Sequence, residues 1–436
     1  YMRRRAGLEE AKAPHPSLEE PLRRTLGVPL FQEQVMQMAV AAAGFAPAQA
    51  DRLRRAMGAK RSTERMLALK EQLMSGMAAK GITGELAEDI YAKLEAFSSY
   101  GFPESHSISF AYLVYASSYL KRHYPAAFTV ALLNNQPMGF YSPATLIGDA
   151  RRHGVTVRGP DVNASGAPAT LEPVPPGPYR PKHKFASRHP QPAIRLGLSA
   201  VRDLGTEAAE RVAAERDGSE TVAAGGPYRS LEDFVRRTGL SRAALEALAT
   251  AGAFGCFGLT RRQALWQAGA LAGTHAGQLP GTAGADRVPA LPEMTVVEQT
   301  FADLWAAGAS PDSHPIAHVR EELTATGHLR IAELADVPGN RLVRIAGIVT
   351  HRQRPPTAGG VCFLSLEDET GLANIVCSPT VWERQKKVAL TCGALRIIGH
   401  LERSDHGAGS INVVAGRLEP LRVAAQPARM RGRDFK

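Results

Sequence analysis

Apolar residues in the first quarter of the chain recur at three- and four-residue spacing, which is the helical period. Phe31 to Ala43, rich in Met and Val, is predicted as an amphipathic helix ending near Gly44. Pro47 suits the first turn of the next helix, which carries Asp51, Arg52, Arg54 and Arg55 and is expected to stop near Gly58. Further helices are expected from Thr63 to Lys80 and from Thr83 to Phe97. Ile108, Tyr112, Tyr115 and Tyr119 then repeat at helical spacing, and Ala111, Ala116, Ser117 and Ser118 leave room for close contacts, so a buried or half-buried helix is predicted. Tyr100-Gly101-Phe102-Pro103 cannot continue a helix, because Gly is permissive and Pro103 lacks an N–H. That turn presents Ser105 and His106 at a helix start, where unpaired N–H groups favour an anion.

The middle of the chain is punctuated by caps. Ser142-Pro143 opens a helix that Gly154 stops, and Val155 to Arg158 is a short extended piece. Gly166 to Pro192, dense in Pro, Gly and Ala, is read as an exposed, mobile loop. Ile194 to Leu198 reads as a strand, followed by two helices joined at a tight Leu204-Gly205 turn; the turn, with Thr206, could hold a DNA phosphate in the manner of a helix-hairpin-helix. Such hairpins usually have Gly on both sides of the central apolar residue. Here one side is Asp203, whose carboxylate would repel a phosphate. Ser230 to Gly239, Ser241 to Gly252 and Thr260 to Ala270 are three more helices, each with a Ser or Thr cap, and Thr260 with Gln263 and Thr295 with Glu298 have capping-box spacing. Gly273 to Pro292 is a linker. From Leu342 the period changes to two: Val343 to Val349, Val361 to Leu366, Leu372 to Cys377, Leu395 to His400 and Ile411 to Val414 read as strands, with a helix from Thr380 to Val388. Five strands with one helix at that point resemble an OB-fold, a small barrel that often binds single-stranded nucleic acid.

Charge sharpens this picture. The 436 residues carry a formal net charge of +10, which favours a polyanionic partner. The basic clusters are Arg3 to Arg5, Arg52 to Arg55, Arg180 to Arg188 and Arg422 to Lys436. Cys256, Cys362, Cys377 and Cys392 form no CxxC pair, so neither a zinc site nor a redox motif is indicated, and they read as reduced core thiols of a cytoplasmic protein. No apolar run approaches a bilayer span and no signal peptide is recognisable, so no membrane is expected. The chain opens at Tyr1 rather than Met, and a fragment is expected.

The stretch YGFPESHSISFAYLVYASSYLKRHYPAAF, from Tyr100 to Phe128, resembles the end of the fingers region of bacterial C-family DNA polymerases. Ala131 to Tyr141, HPSLEEPLRRTLGVPLFQEQVMQMA upstream and RQRPPTAGGVCFLSLEDETGLANIV downstream resemble the error-prone, damage-induced branch of that family. The resemblance implies a multidomain α + β chain: all-helical fingers and helix-hairpin-helix domains followed by a five-stranded OB-fold barrel. Its domains would be the end of the fingers at 1–125, the helix-hairpin-helix domain at 126–275, a linker with helices at 276–335, the OB-fold at 336–422 and a basic tail at 423–436. It implies DNA-directed DNA polymerase activity in the whole enzyme, acting in translesion synthesis on primer-template DNA with deoxynucleoside triphosphates. Arg54 and Arg55 would face the incoming triphosphate, joined by Lys60 and Arg61, and by Tyr100, Ser105 and His106. In the barrel, Arg352 and Arg354 would drive template binding and Phe363 would stack a base, with Trp382 the other available aromatic.

Nucleotidyl transfer needs two metal ions held by clustered carboxylates. No Asp-x-Asp pairing of the palm kind occurs, and Glu367-Asp368-Glu369 reads as a solvated turn. The Mg2+ ligands are therefore expected outside this chain, which should be inactive alone. Gln278-Leu279-Pro280-Gly281 lacks the aromatic anchor of a sliding-clamp peptide, so a damage-response accessory protein would give clamp access. Two other readings stay open on residues alone: a non-enzymatic DNA-binding repair scaffold, and a structural chain whose barrel binds a protein.

Overall fold

The computed structural model describes residues 1–56, 62–98, 102–139, 141–175, 187, 189–219, 223–274, 277–278, 288–403, 411–423 and 433–435, without the side chains of 56, 62–66, 98 and 433–435. Two compact units divide the chain at Ser118 and Tyr119.

The first unit is helical. Gln32–Ala43 lies at its centre and packs on Pro47–Ala56 and Ser62–Ala79, with Gly84–Ser98 beyond. Leu18, Leu22, Val35, Met38, Leu53, Leu73, Met77, Ile90 and Leu94 make the core. Gly44 ends the central helix at φ +67°, a left-handed cap that suits glycine. At Gly76 a Cβ would stand 2.1 Å from the Ala43 carbonyl oxygen, so two helices touch there through backbone. The helix Glu104–His123 departs from expectation. None of its residues is buried, and Tyr112 and Tyr115 are 76% and 77% exposed. Helical spacing of aromatics signals an apolar surface, but it does not say what covers that surface.

The second unit starts at Tyr119, in the last part of the helix Glu104–His123, and continues with the helices Pro125–Asn134 and Pro143–Arg152. The Ser142 hydroxyl caps the latter by accepting from Thr145 N. A small sheet follows, of β1 (Val157–Arg158), β2 (Thr170–Glu172) and β3 (Ala193–Arg195), with β3 central, parallel to β1 and antiparallel to β2. The loop expected at 166–192 is thus partly structured. Glu172 on β2 pairs with Arg195 and Arg158, and Ala167 and Ala169 are buried. Residues 176–186 and 188, with their basic cluster, lie outside the described residues.

Helices Gly205–Asp217, Leu231–Thr238, Arg242–Thr250 and Arg261–Leu271 enclose a core centred on Phe234 and Phe254, whose rings meet edge to face at 5.2 Å. Ser230, Ser241 and Thr260 cap three of them, each accepting from the N–H three residues on. Val296–Ala307 starts with the Thr295–Glu298 capping box.

The barrel comprises β4 (Leu342–Gln353), β5 (Cys362–Glu367), β6 (Leu372–Cys377), the helix Pro379–Thr391, β7 (Ala394–Arg403) and β8 (Ile411–Pro420). It closes in the order β4-β5-β6-β8-β7-β4, with β6 and β8 parallel and the other pairs antiparallel. Closure needs close backbone approach. A Cβ at Gly347 would stand 2.6 Å from Glu367 O, and one at Gly399 2.3 Å from Val414 O. A short β9 (Arg433–Phe435), from the stretch expected as a basic tail, runs parallel to β4 at His351–Gln353. The thiols of Cys362 and Cys377 face each other across β5 and β6 in the core; Cys392 is half-buried, and Cys256, expected inside, is exposed.

Candidate nucleic-acid interface

At the hairpin, the element before the turn is only a single 3-10 turn, Leu198–Ala200, rather than a helix. Val201 and Leu204 are buried and anchor the turn from below. Asp203 and Gly205 both take left-handed backbone, at φ +60° and +74°. Asp203 thus adopts the conformation that a glycine would adopt most easily, which Asp tolerates better than most residues. Gly205 and Thr206 are exposed in the first turn of Gly205–Asp217, where backbone N–H groups have no partner within the helix. Leu204 contributes packing, and only its neighbours offer polar surface.

On the barrel, the outer row of β5 and β6 pairs Phe363 with Val376, Ser365 with Asn374 and Glu367 with Leu372. Phe363 is 39% exposed, and Gln353, its partner on β4, is exposed too. Arg354 reaches the Gly360 carbonyl at 3.4 Å and lies 5.8 Å from the Trp382 ring. Two expectations fail here. Arg352 is 7% exposed, and its Nε and Nη2 donate to the carbonyls of Ala389 (2.7 Å) and Cys392 (2.9 Å) at the end of the helix Pro379–Thr391. The cause is a bulge: the register slips between Val349 and His351, so Arg352 stands opposite Leu364, on the interior side, and satisfies carbonyls that the helix end leaves open. Trp382 is likewise buried in the barrel core and cannot stack a base.

In the helical unit, Arg54 and Arg55 both grip Asp51, each at 2.8 Å. The hydrogen bond from Arg54 holds the Asp51 carboxyl below its ordinary range. Ser105 and His106 are exposed, and the His106 ring sits between Phe102 (5.1 Å) and Phe110 (4.4 Å). The anion favoured at this helix start is supplied by the protein itself, since Glu104 N donates to Glu33 Oε2 at 2.9 Å. Lys60, Arg61 and Tyr100 lie outside the described residues, as do positions 279–281 of the candidate clamp peptide.

Three family models match the chain in order. Residues 1–81 match the bacterial DNA polymerase III alpha subunit finger domain, 154–264 the helix-hairpin-helix motif and 343–421 the OB-fold nucleic acid binding domain. The error-prone DNA polymerase of Mycolicibacterium paratuberculosis is 52% identical over 437 aligned positions, covering 100% of this chain. The chain is related to the error-prone DNA polymerases from end to end. Those of Mycobacterium tuberculosis H37Rv and Nocardia farcinica are 51% and 50% identical, again over 100% of this chain. The chain spans little more than a third of these relatives, 37%, 37% and 36% of their lengths.

The acidic run of the barrel was not recognisable as structural from sequence. Glu367 and Asp368 are 4% and 0% exposed instead of solvated. Asp368 accepts from Arg320 (2.9 Å), Ile331 N, Thr370 and Gly371 N, and Glu369 accepts from Arg320 at 2.7 Å. Glu367 reaches the other way and accepts from Thr145 at 2.8 Å. No short-range signal marks these partners, which come from distant segments. Among the described residues no group of three or more His, Cys, Asp and Glu could hold a metal.

Proposed function

We propose that this chain is the DNA- and nucleotide-engaging part of a longer error-prone DNA polymerase, which joins deoxynucleoside triphosphates to a primer opposite a template, damaged template included. The carrying observation is the end-to-end relation to error-prone polymerases, with finger, hairpin and OB-fold matches in one order. In this reading Arg54 and Arg55 exchange the Asp51 carboxylate for a triphosphate, since guanidinium forks suit both anions. Ser105 and His106, at the start of the separate helix Glu104–His123, would join them, with Lys60 and Tyr100 completing the set. Gly205 and Thr206 hold a backbone phosphate of the duplex. Arg354 and Phe363 take the single strand, the first by charge and the second by stacking.

The Mg2+ ions that such transfer needs would be held by carboxylates elsewhere in the longer protein, where they would stabilise the attacking and leaving oxygens. The apolar exterior of Glu104–His123 would be covered there by further polypeptide, as a surface with Tyr112 and Tyr115 bare is costly in water. An accessory protein of the damage response would supply clamp access, and the location would be cytoplasmic. Among the described residues no helix is long and apolar enough to cross a membrane.

A chimera tests this reading. This chain replaces the matching part of the Mycobacterium tuberculosis relative, and primer extension is measured. Incorporation directed by the template is expected, with Arg54→Glu and Arg55→Glu raising the apparent KM for nucleotide. A folded chimera that binds primer-template but incorporates nothing would overturn it.

A further inference from the structure

At the hairpin turn Val201 and Leu204 are buried, so Arg202, Asp203, Gly205 and Thr206 make its outer surface. Gly205 and Thr206 offer N–H groups to a phosphate, and Asp203 opposes one by charge. Arg202, between Val201 and Asp203, carries the sign that a phosphate needs.

Two contacts tie Arg202 to one helix. Its backbone N–H donates to the Ala306 carbonyl at 2.7 Å, at the end of Val296–Ala307. Its guanidinium lies over the ring of Trp305, one residue earlier, with Cζ 4.9 Å from the ring centre. Trp305 is 41% exposed and Arg202 is exposed too, so the pair sits at the surface beside the turn. A cation is drawn to the π-face of an indole, and that attraction consumes none of the five N–H donors of a guanidinium.

Those donors are unspent. The Arg202 side chain makes no hydrogen bond and no ion pair among the described residues, even with Asp203 beside it in sequence. Other arginines of this helical module are used up within it. Arg216 donates to the carbonyls of Val162 and Ser165, Arg237 pairs with Glu215 and Asp233, and Arg261 pairs with Asp303. Were Arg202 there only to neutralise the end of Val296–Ala307, its guanidinium would reach the open carbonyls of that helix, as Arg352 does on the barrel. Only its backbone N–H does so. A long side chain also loses freedom when it grips a ligand, and the Trp305 ring removes part of that freedom beforehand.

We propose that Arg202 is a DNA ligand, its guanidinium contacting a backbone phosphate of the duplex at the hairpin, and that Trp305 is its positioning residue. The proposal deepens the reading in which Gly205 and Thr206 engage duplex DNA, and it rests on that reading. It gives the turn an attractive charge beside the repulsive one of Asp203.

Fluorescence anisotropy of the full 436-residue chain tests it with two probes, a short duplex and a single strand of the same length. Arg202→Ala keeps the N–H that bonds to Ala306 and alters only an exposed side chain. Duplex affinity at low salt should fall about tenfold, as for one charge-assisted bond. The slope of log affinity against log salt should drop by about one, and single-strand affinity should stay within about twofold. Trp305→Leu should cost about threefold on the duplex when Arg202 is present and nothing further in the Arg202→Ala background. Trp305→Phe, which keeps a ring face, should retain most of the affinity.

Unchanged duplex affinity and slope in Arg202→Ala overturn the proposal, as does an equal loss on both probes. Losses from the Arg202 and Trp305 variants that simply add remove Trp305 from it. If the unaltered chain binds no duplex at low salt, the duplex-engaging reading and the proposal fall together, whereas a duplex bound equally well without the Arg202 side chain removes only the proposal.

Discussion

Thr145 donates its hydroxyl to the buried carboxylate of Glu367 at 2.8 Å, across 222 positions of sequence. The bond ties the helix Pro143–Arg152 to the outer face of β5, so barrel and helical module hold each other at a buried charge. Thr145→Val keeps the shape and removes the donor, leaving a buried oxygen without its bond. A loss of about 2 kcal/mol is expected, read as a lower urea midpoint for the full chain. No change in midpoint would show that the bond carries nothing.

Arg352 and Phe363 should separate stability from binding. Arg352→Met removes the guanidinium from the carbonyls of Ala389 and Cys392 and should lower the thermal midpoint while leaving the salt dependence of single-strand binding unchanged. Phe363→Ala should do the reverse, costing about 1 to 3 kcal/mol in strand affinity with little loss of stability. Parallel melting curves and anisotropy titrations check both.

His314 makes stability depend on pH. Burial pushes its pKa down from 6.5 to about 4, with Glu369 opposing and Arg152, Arg151 and Arg320 reinforcing the shift. The unfolded chain therefore takes up a proton first as pH falls. The contribution is complete above about pH 6.5 and is lost progressively towards pH 4. Between pH 7.5 and 5 the loss should be about 2 kcal/mol. His314→Asn, which can still accept from Ile316 N, should flatten that slope in denaturation curves at the two pH values.

Asp203 holds a left-handed turn beside the exposed start of Gly205–Asp217. Asp203→Gly keeps the turn and removes the negative charge that would face a phosphate. Duplex affinity should rise several-fold at low salt, about 1 kcal/mol, and the gain should shrink as salt screens it. An unchanged affinity would assign this hairpin to packing alone.

Local chemistry alone carried much of the architecture. Caps at Ser142, Ser230, Ser241, Thr260 and Thr295 are sequence-local contacts, and so the helices they start were legible. The two-residue period from Leu342 placed the barrel strands, because each inner face must be apolar whatever surrounds it. Tertiary structure alone decided which polar groups are spent inside. One extra residue at the β4 bulge reversed the parity of Arg352 and turned an expected DNA contact into a helix-end cap. Glu367 and Asp368 read as a solvated turn because their partners Thr145, Arg152 and Arg320 lie far away in sequence, and charge pairing at that range leaves no periodic trace. The helix Glu104–His123 shows the same limit from the other side: spacing defines an apolar face, but only the folded assembly determines what meets it.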